Sequence, residues 1–179
     1  MIRGLAASAA LCFLMTLTAC GAAGGPGGRE ALPPTSSAAL GSIDPCSLVD
    51  DGMRRSLRLD AGISQSDVPV SGANSCHWFS TDREFSLVFG FFPGSYRVDD
   101  IAAKYDDAAW IGVDGRRAVR ASSGLATSGT TCLLFTELPA RGVAYTQVRL
   151  LASPAGKASA GPCERIIDLT RTLLASANL

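Results

Sequence analysis

The six cysteines have the most varied chemistry of any residue type in this sequence. A thiol can attack an electrophile, bind a metal ion or pair with a second thiol, and its position in the chain favours one of these roles. Cys12 and Cys20 lie in an N-terminal run of small and apolar residues, so they need a separate interpretation from the rest. The other four are Cys46, Cys76, Cys132 and Cys163.

Cys20 ends the segment Leu17-Thr18-Ala19-Cys20, which has the form of a bacterial lipobox. Arg3 supplies the positive charge of a signal peptide, and residues 4–17 supply a short apolar core. In a lipobox the thiol attacks a diacylglyceryl donor, a peptidase cuts before the cysteine, and acylation with a chain such as palmitate follows. Two or more acyl chains, at about 0.8 kcal/mol per buried methylene, make a stable anchor. The alternative is a secreted protein with a chance cysteine.

We therefore predict a lipoprotein signal peptide at 1–19, lipidation of Cys20 and a location on the extracytoplasmic face of the cell membrane. Residues 21–43 are rich in Gly, Ala, Pro and Ser without apolar periodicity, which is typical of a flexible linker. Cys20 and this linker form a tether at 20–43. The remaining residues, 44–179, have the length of one domain. The 16 basic and 16 acidic side chains balance, which argues against nucleic-acid binding.

Apolar spacing within 44–179 predicts an α+β fold, with three helices packed on an antiparallel sheet of about five to six strands. Helices begin at Asp44-Pro45, Val98 and Pro162, and the first carries an apolar stripe that continues to Leu57. Asp114-Gly115 suits a tight hairpin turn. Strands are predicted at 76–79, 85–91, 110–113, 117–121, 131–138 and 143–151, and a loop at 60–75.

Four cysteines remain once Cys12 is lost with the signal peptide and Cys20 is lipidated. An even number in an exported domain implies two disulfides, and four cysteines allow three pairings. Loop entropy, roughly 3 to 4 kcal/mol for a short loop, does not choose among the pairings. The layout favours pairing neighbours along the chain, because each such pair joins a helix start to a strand. Zinc binding is the weaker interpretation because C-x-x-C spacing is absent, so we expect no metal and no cofactor.

The order Asp44-Pro45-Cys46, Cys76-x-Trp78, Cys132 and Pro162-Cys163 resembles a family of small actinobacterial lipoproteins that is catalogued as a domain of unknown function. The resemblance spans nearly all of the chain after the signal peptide. It implies the disulfides Cys46–Cys76 and Cys132–Cys163 and an exported location. It implies no activity.

The other reactive residues form no recognisable catalytic motif. His77 is the only histidine, and strand alternation places it on the face opposite Cys76 and Trp78. Because G-x-S-x-G is also absent, we interpret it as a surface or edge histidine. Three acidic pairs fit solvated or helix-end positions better than the paired acids of a glycosidase. These pairs are Asp50-Asp51, Asp99-Asp100 and Asp106-Asp107.

Two further clusters have a structural and a functional interpretation. Arg116, Arg117 and Arg120 give the second hairpin a weak basic patch that would contact acidic lipid or wall polymer. Phe91-Phe92-Pro93 at a strand end would line a ligand pocket, although aromatic alternation is usually core.

Export, anchoring and disulfides, together with few reactive groups, predict a non-enzymatic lipoprotein of the cell envelope. Its domain would bind an envelope protein, a wall component or a small apolar ligand. The alternative is an accessory envelope hydrolase or transferase whose carboxylates are brought together only by the fold. A cleft with a buried carboxylate pair of raised pKa would favour the enzyme, and an exposed apolar patch would favour the binding protein.

Replacing Cys20 by Ala should abolish acyl labelling and membrane retention, because alanine has no thiol to receive the diacylglyceryl group. The measurements are incorporation of labelled palmitate and fractionation of washed membranes. Cys12→Ala, within the predicted signal peptide, should retain both properties. Retention of Cys20→Ala in washed membranes would refute the anchor.

Overall fold

Seven strands form one antiparallel sheet in a computed structural model, which describes residues 40, 42–122, 131–138, 142–151 and 161–179. Their spatial order is β1-β2-β3-β7-β6-β5-β4, so only the β3–β7 contact joins strands that are not consecutive in the sequence. The strands are β1 Ile63–Ser66, β2 Asn74–Phe79, β3 Phe85–Phe92, β4 Ala109–Val113, β5 Arg116–Ser122, β6 Thr131–Glu137 and β7 Val143–Leu150.

Helices pack on both faces of this sheet. They are the 3-10 helix Pro45–Leu48, α1 Asp51–Ser56, α2 Val98–Ala102 and α3 Pro162–Ser176. The α+β class and the three α-helices are confirmed, and none of the described helices is long and apolar enough to cross a membrane. Cys20, the predicted signal peptide at 1–19 and the tether as far as residue 39 lie outside the described residues.

The prediction of five to six strands was wrong because β1 lies inside the predicted loop at 60–75. Its four residues are exposed or half-buried, so no buried side alternates with an exposed one. The strand forms because β2 offers backbone partners, with Ile63 opposite His77 and Ser66 opposite Asn74. An edge strand of this kind leaves little trace in the hydrophobic pattern.

The first predicted helix is divided into the 3-10 helix and α1. The Asp44 carboxylate accepts a hydrogen bond from the Cys46 amide at 2.9 Å, as expected of a helix cap. Val49 then adopts an extended conformation, with φ −105° and ψ 91°. The Asp50 carboxylate caps a new helix by accepting from the Met53 amide at 2.7 Å. Two capping aspartates, rather than one apolar stripe, therefore decide where these helices begin.

The hairpin turn and the interior strands predicted after residue 110 are present in the structure. Asp114 and Gly115 have φ values of 48° and 77°, the positive angles that a tight hairpin turn requires. β6 and β7 are almost wholly buried, as expected of interior strands. Of the helix predicted from Val98, only Val98–Ala102 is helical.

One face of the sheet is covered by the N-terminal segment and by α3. Trp78 and Phe89 project from β2 and β3 into this layer, and both are almost completely buried. Ile166 and Leu173 reach it from α3, which packs on β6 and β7. Leu40 is 2% exposed in the same cluster, so the packed part of the chain includes a residue N-terminal to position 44.

The two predicted disulfides are present, and both lie on this face. Cys46 is bonded to Cys76, which joins the 3-10 helix to β2. Cys132 is bonded to Cys163, which joins β6 to the first turn of α3. This is the sequential pairing that the family resemblance implies.

Gly90→Ala should destabilise the domain, because the backbone of the neighbouring strand β2 lies very close to this glycine of β3. An added Cβ would lie 2.6 Å from the Ser75 Cβ and 2.8 Å from its Cα, and would also strike the Asn74 carbonyl oxygen. We expect a loss of about 1 to 3 kcal/mol in the free energy of unfolding, measured in urea. Gly112→Ala is the matched control, since nothing lies within 4 Å of its added Cβ. Equal effects of the two substitutions would show that this close approach is absent.

Candidate functional site

Five aromatic rings cluster on the sheet face opposite the disulfides, beneath α2. Phe92, Phe135 and Tyr145 come from β3, β6 and β7, and the register places Phe135 directly opposite Tyr145. Tyr96 and Tyr105 flank α2 in the chain and complete the cluster. The ring centroids are 5.0 Å apart for Phe92 and Tyr96, 5.4 Å for Phe135 and Tyr145, and 5.7 Å for Tyr105 and Phe135.

The rings surround a cavity of about 150 Å³. Phe92, Phe135 and Tyr145 are buried and form its floor, while Pro69 and Lys104 are exposed and mark its mouth. Protein cores contain few voids larger than a water molecule, so this space is unusual for an aromatic core. An apolar cavity of about 150 Å³ is large enough for benzene. Its remaining lining residues are Val70, Tyr96, Ile101 and Tyr105.

The lining of the cavity contains one charged residue, Lys104. Burial raises the pKa of Tyr145, and its hydroxyl donates a hydrogen bond to the Gln147 side-chain oxygen. Burial, with a smaller contribution from Asp107, also raises the pKa of Tyr105. Both phenols are therefore neutral at physiological pH. The pocket offers a ligand neutral aromatic surface and a single positive charge.

The sequence pointed to one of these residues. Phe91-Phe92-Pro93 was interpreted as either core or pocket lining, and strand alternation divides the pair between the two faces. Phe91 packs against Phe89 on the disulfide face at 5.3 Å, whereas Phe92 lines the cavity. Tyr96, Tyr105 and Tyr145 were missed because no spacing links a strand residue to residues beside a distant short helix.

A charged cleft of about 370 Å³ lies where α1 and α3 meet the β2–β3 turn. It brings together three carboxylates, Asp82, Glu84 and Asp168, which no motif in the sequence connects. Arg58 approaches Asp82 at 3.1 Å. A hydrogen bond from the Ser80 side chain contributes most to lowering the pKa of Asp82. A lowered pKa suits an ion-paired carboxylate and is the opposite of what a general acid needs.

The acidic pairs predicted at helix ends or in solvent occupy such positions. Asp50 caps α1, and Asp51 bonds Arg54 at 2.6 Å. Asp107 accepts a hydrogen bond from the Ser122 amide at 2.8 Å. A hydrogen bond from Arg117 lowers the pKa of Asp99. Asp100 and Asp106 are exposed.

The basic hairpin does not form a single patch. Alternation along β5 places Arg117 on the α2 face, and the register places Arg116 and Arg120 on the other. Arg117 lies 4.6 Å from the Trp110 ring centroid and bonds Asp99 at 2.8 Å. Its charge is therefore used within the domain.

As predicted, His77 lies on the sheet face opposite to that of Cys76 and Trp78. Its ring centroid is 4.4 Å from that of Phe79. It is half-buried, and its Nε2 has no hydrogen-bond partner. Burial lowers the pKa of the imidazole, although Asp60 opposes this effect. Among the residues that the structure describes, no three His, Cys, Asp or Glu side chains are grouped to hold a metal ion.

The fold and the pocket define a disulfide-bonded α+β domain with an aromatic cavity between its sheet and a short helix. The chain belongs to the family described as Protein of unknown function (DUF3558), which matches residues 15–176. No curated protein and no solved structure matches the chain. The resemblance to a domain of unknown function is thus confirmed.

Because of His77, the free energy of unfolding should decrease as the pH is lowered from about 7 to about 5. The lowered pKa means that the folded protein binds this proton more weakly than the unfolded chain, whose histidine pKa is about 6.5. Acidification therefore favours unfolding. Urea unfolding at several pH values should show a slope over this range that His77→Leu reduces, and NMR titration of the only imidazole should give a pKa below 6.5. An unchanged slope in His77→Leu would contradict the prediction.

Proposed function

We propose that this protein is a lipoprotein anchored through acyl chains on Cys20 to the extracytoplasmic face of the cell membrane. Its folded domain binds a small apolar ligand in the aromatic pocket. The observation that carries the binding function is the cavity of about 150 Å³ with its floor of three buried rings. The segment Leu17–Cys20 supports the anchor, and two disulfides suit an oxidising compartment.

The pocket has the character of a binding site because a ligand would restore packing that the rings leave incomplete. Ring centroids 5.0 to 5.9 Å apart are in the normal range for aromatic contact, so the rings support one another around the space. An apolar pocket gains dispersion contacts when a ligand of matching size enters. Small-molecule sites are typically apolar, with few polar groups at fixed positions.

The helix over the pocket is short and is joined to no disulfide, which would allow a ligand to enter. α2 has five residues, and its N-cap residue, Arg97, makes no side-chain capping hydrogen bond. Both disulfides lie on the other face of the sheet, so α2 can move without strain on either bond. Segments with few stabilising contacts open locally at a low cost in free energy.

An envelope hydrolase or transferase is the second proposal, and the charged cleft is where it would act. The fold assembles Asp82, Glu84 and Asp168 there from separate elements. Because the pKa of Asp82 is lowered, the cleft supports this function less well than the pocket supports binding.

Val70→Trp should block the pocket, because Val70 is a half-buried residue of its lining and tryptophan would extend into the space. Toluene is the probe, and saturable shifts of the Ile101 methyl signals report its binding. We expect binding to the unsubstituted protein and at least about a tenfold loss in Val70→Trp, which corresponds to about 1.4 kcal/mol.

Ile63→Trp is the matched control, since Ile63 is 56% exposed and lies outside the pocket lining. It should bind toluene as the unsubstituted protein does. Absence of toluene binding in the unsubstituted protein, or normal binding in Val70→Trp, would refute the pocket as a ligand site.

A further inference from the structure

We propose that the aromatic pocket selects small apolar molecules that carry one negative group, and that the Lys104 ammonium holds this group. The inference rests on the binding function proposed above and specifies the class of ligand. Its basis is an unpaired cation at the mouth of an otherwise uncharged aromatic cavity.

Lys104 is available for this role. Its side chain is exposed and forms no ion pair with any residue that the structure describes. Among the acids near it in the chain, Asp99 is paired with Arg117, whereas Asp100 and Asp107 are exposed and form no ion pair with a described residue. A ligand anion would still meet a cation that has no described carboxylate within ion-pair distance.

The pocket also offers hydrogen-bond donors. Tyr96 and Tyr105 are half-buried residues of its lining, and in the described part of the chain neither hydroxyl has a hydrogen-bond partner. Hydrogen bonds from neutral phenols to a carboxylate are charge-assisted and stronger than those to a neutral carbonyl. The donors and Lys104 therefore favour the same kind of ligand.

A cationic ligand is the opposite possibility, because aromatic cages also bind quaternary ammonium groups. Here Lys104 would repel such a ligand at the mouth, and the lining contains no carboxylate to offset that repulsion. The volume suits one six-membered ring or a short branched chain. The expected class is therefore aryl or short branched-chain carboxylates.

The test compares phenylacetate with phenylacetamide, which has the same ring and no charge. Both are titrated into the folded domain with NMR detection at the Ile101 methyl groups. Phenylacetate should bind more tightly by up to about fivefold, the upper end of the range for a partly exposed ion pair. Added salt should reduce this ratio.

Lys104→Met should bring the ratio to about one because the acid loses its cation, and a saturable phenylacetamide titration of the variant shows that the pocket still accepts the ring. Lys104→Arg should retain a preference for the acid. Arg149→Met removes another exposed cation outside the pocket lining and should keep the full ratio.

The outcomes separate this inference from the function on which it rests. Equal binding of acid and amide by the unsubstituted protein, or tighter binding of benzyltrimethylammonium, would overturn the anionic ligand class and leave the apolar pocket. A full ratio in Lys104→Met would overturn the role of Lys104. Failure of toluene, phenylacetate and phenylacetamide alike to bind would overturn the binding function itself.

Discussion

The pairing of β3 with β7 is the contact on which the rest of the structure depends. The other neighbouring strands of the described sheet are consecutive in the sequence, so this ladder alone joins the β1–β3 group to the β4–β7 group. Eight residue pairs form it, from Phe85 opposite Leu150 to Phe92 opposite Val143. On one face β7, together with its other neighbour β6, packs against α3. On the other it brings Phe92 close to Tyr145, with ring centroids 5.8 Å apart, and so builds the pocket.

The two faces of the sheet are stabilised by different means. The disulfide face has covalent links at the 3-10 helix and at α3, and its core contains the largest buried side chain, Trp78. The pocket face depends on aromatic contacts and on the ion pair between Asp99 of α2 and Arg117 of β5. Exposed ion pairs contribute little, typically below about 1 kcal/mol. The covalent links thus restrain the disulfide face, whereas no described disulfide restrains the pocket face.

Local patterns in the sequence predicted the local structure well. Alternation at Phe85–Phe91 gave β3, and Asp114-Gly115 gave the hairpin turn, because each depends on neighbouring residues. β1 was missed because its formation depends on the backbone of β2. Most of the pocket was missed because three strands and the segments beside α2 must meet before Tyr105 lies near Phe135. The membrane anchor at Cys20 stays a prediction from the sequence motif.

Leu40 helps to attach the segment before the first disulfide to the folded domain. Its buried side chain lies so close to Gly142, before β7, that a Cβ on that glycine would collide with it. The Asn74 side chain also donates a hydrogen bond to the Ile43 carbonyl at 2.8 Å. A pull on the preceding chain therefore meets these contacts before it reaches the Cys46–Cys76 bond. Such a pull would enter the domain on the disulfide face, at β2 and at the start of β7.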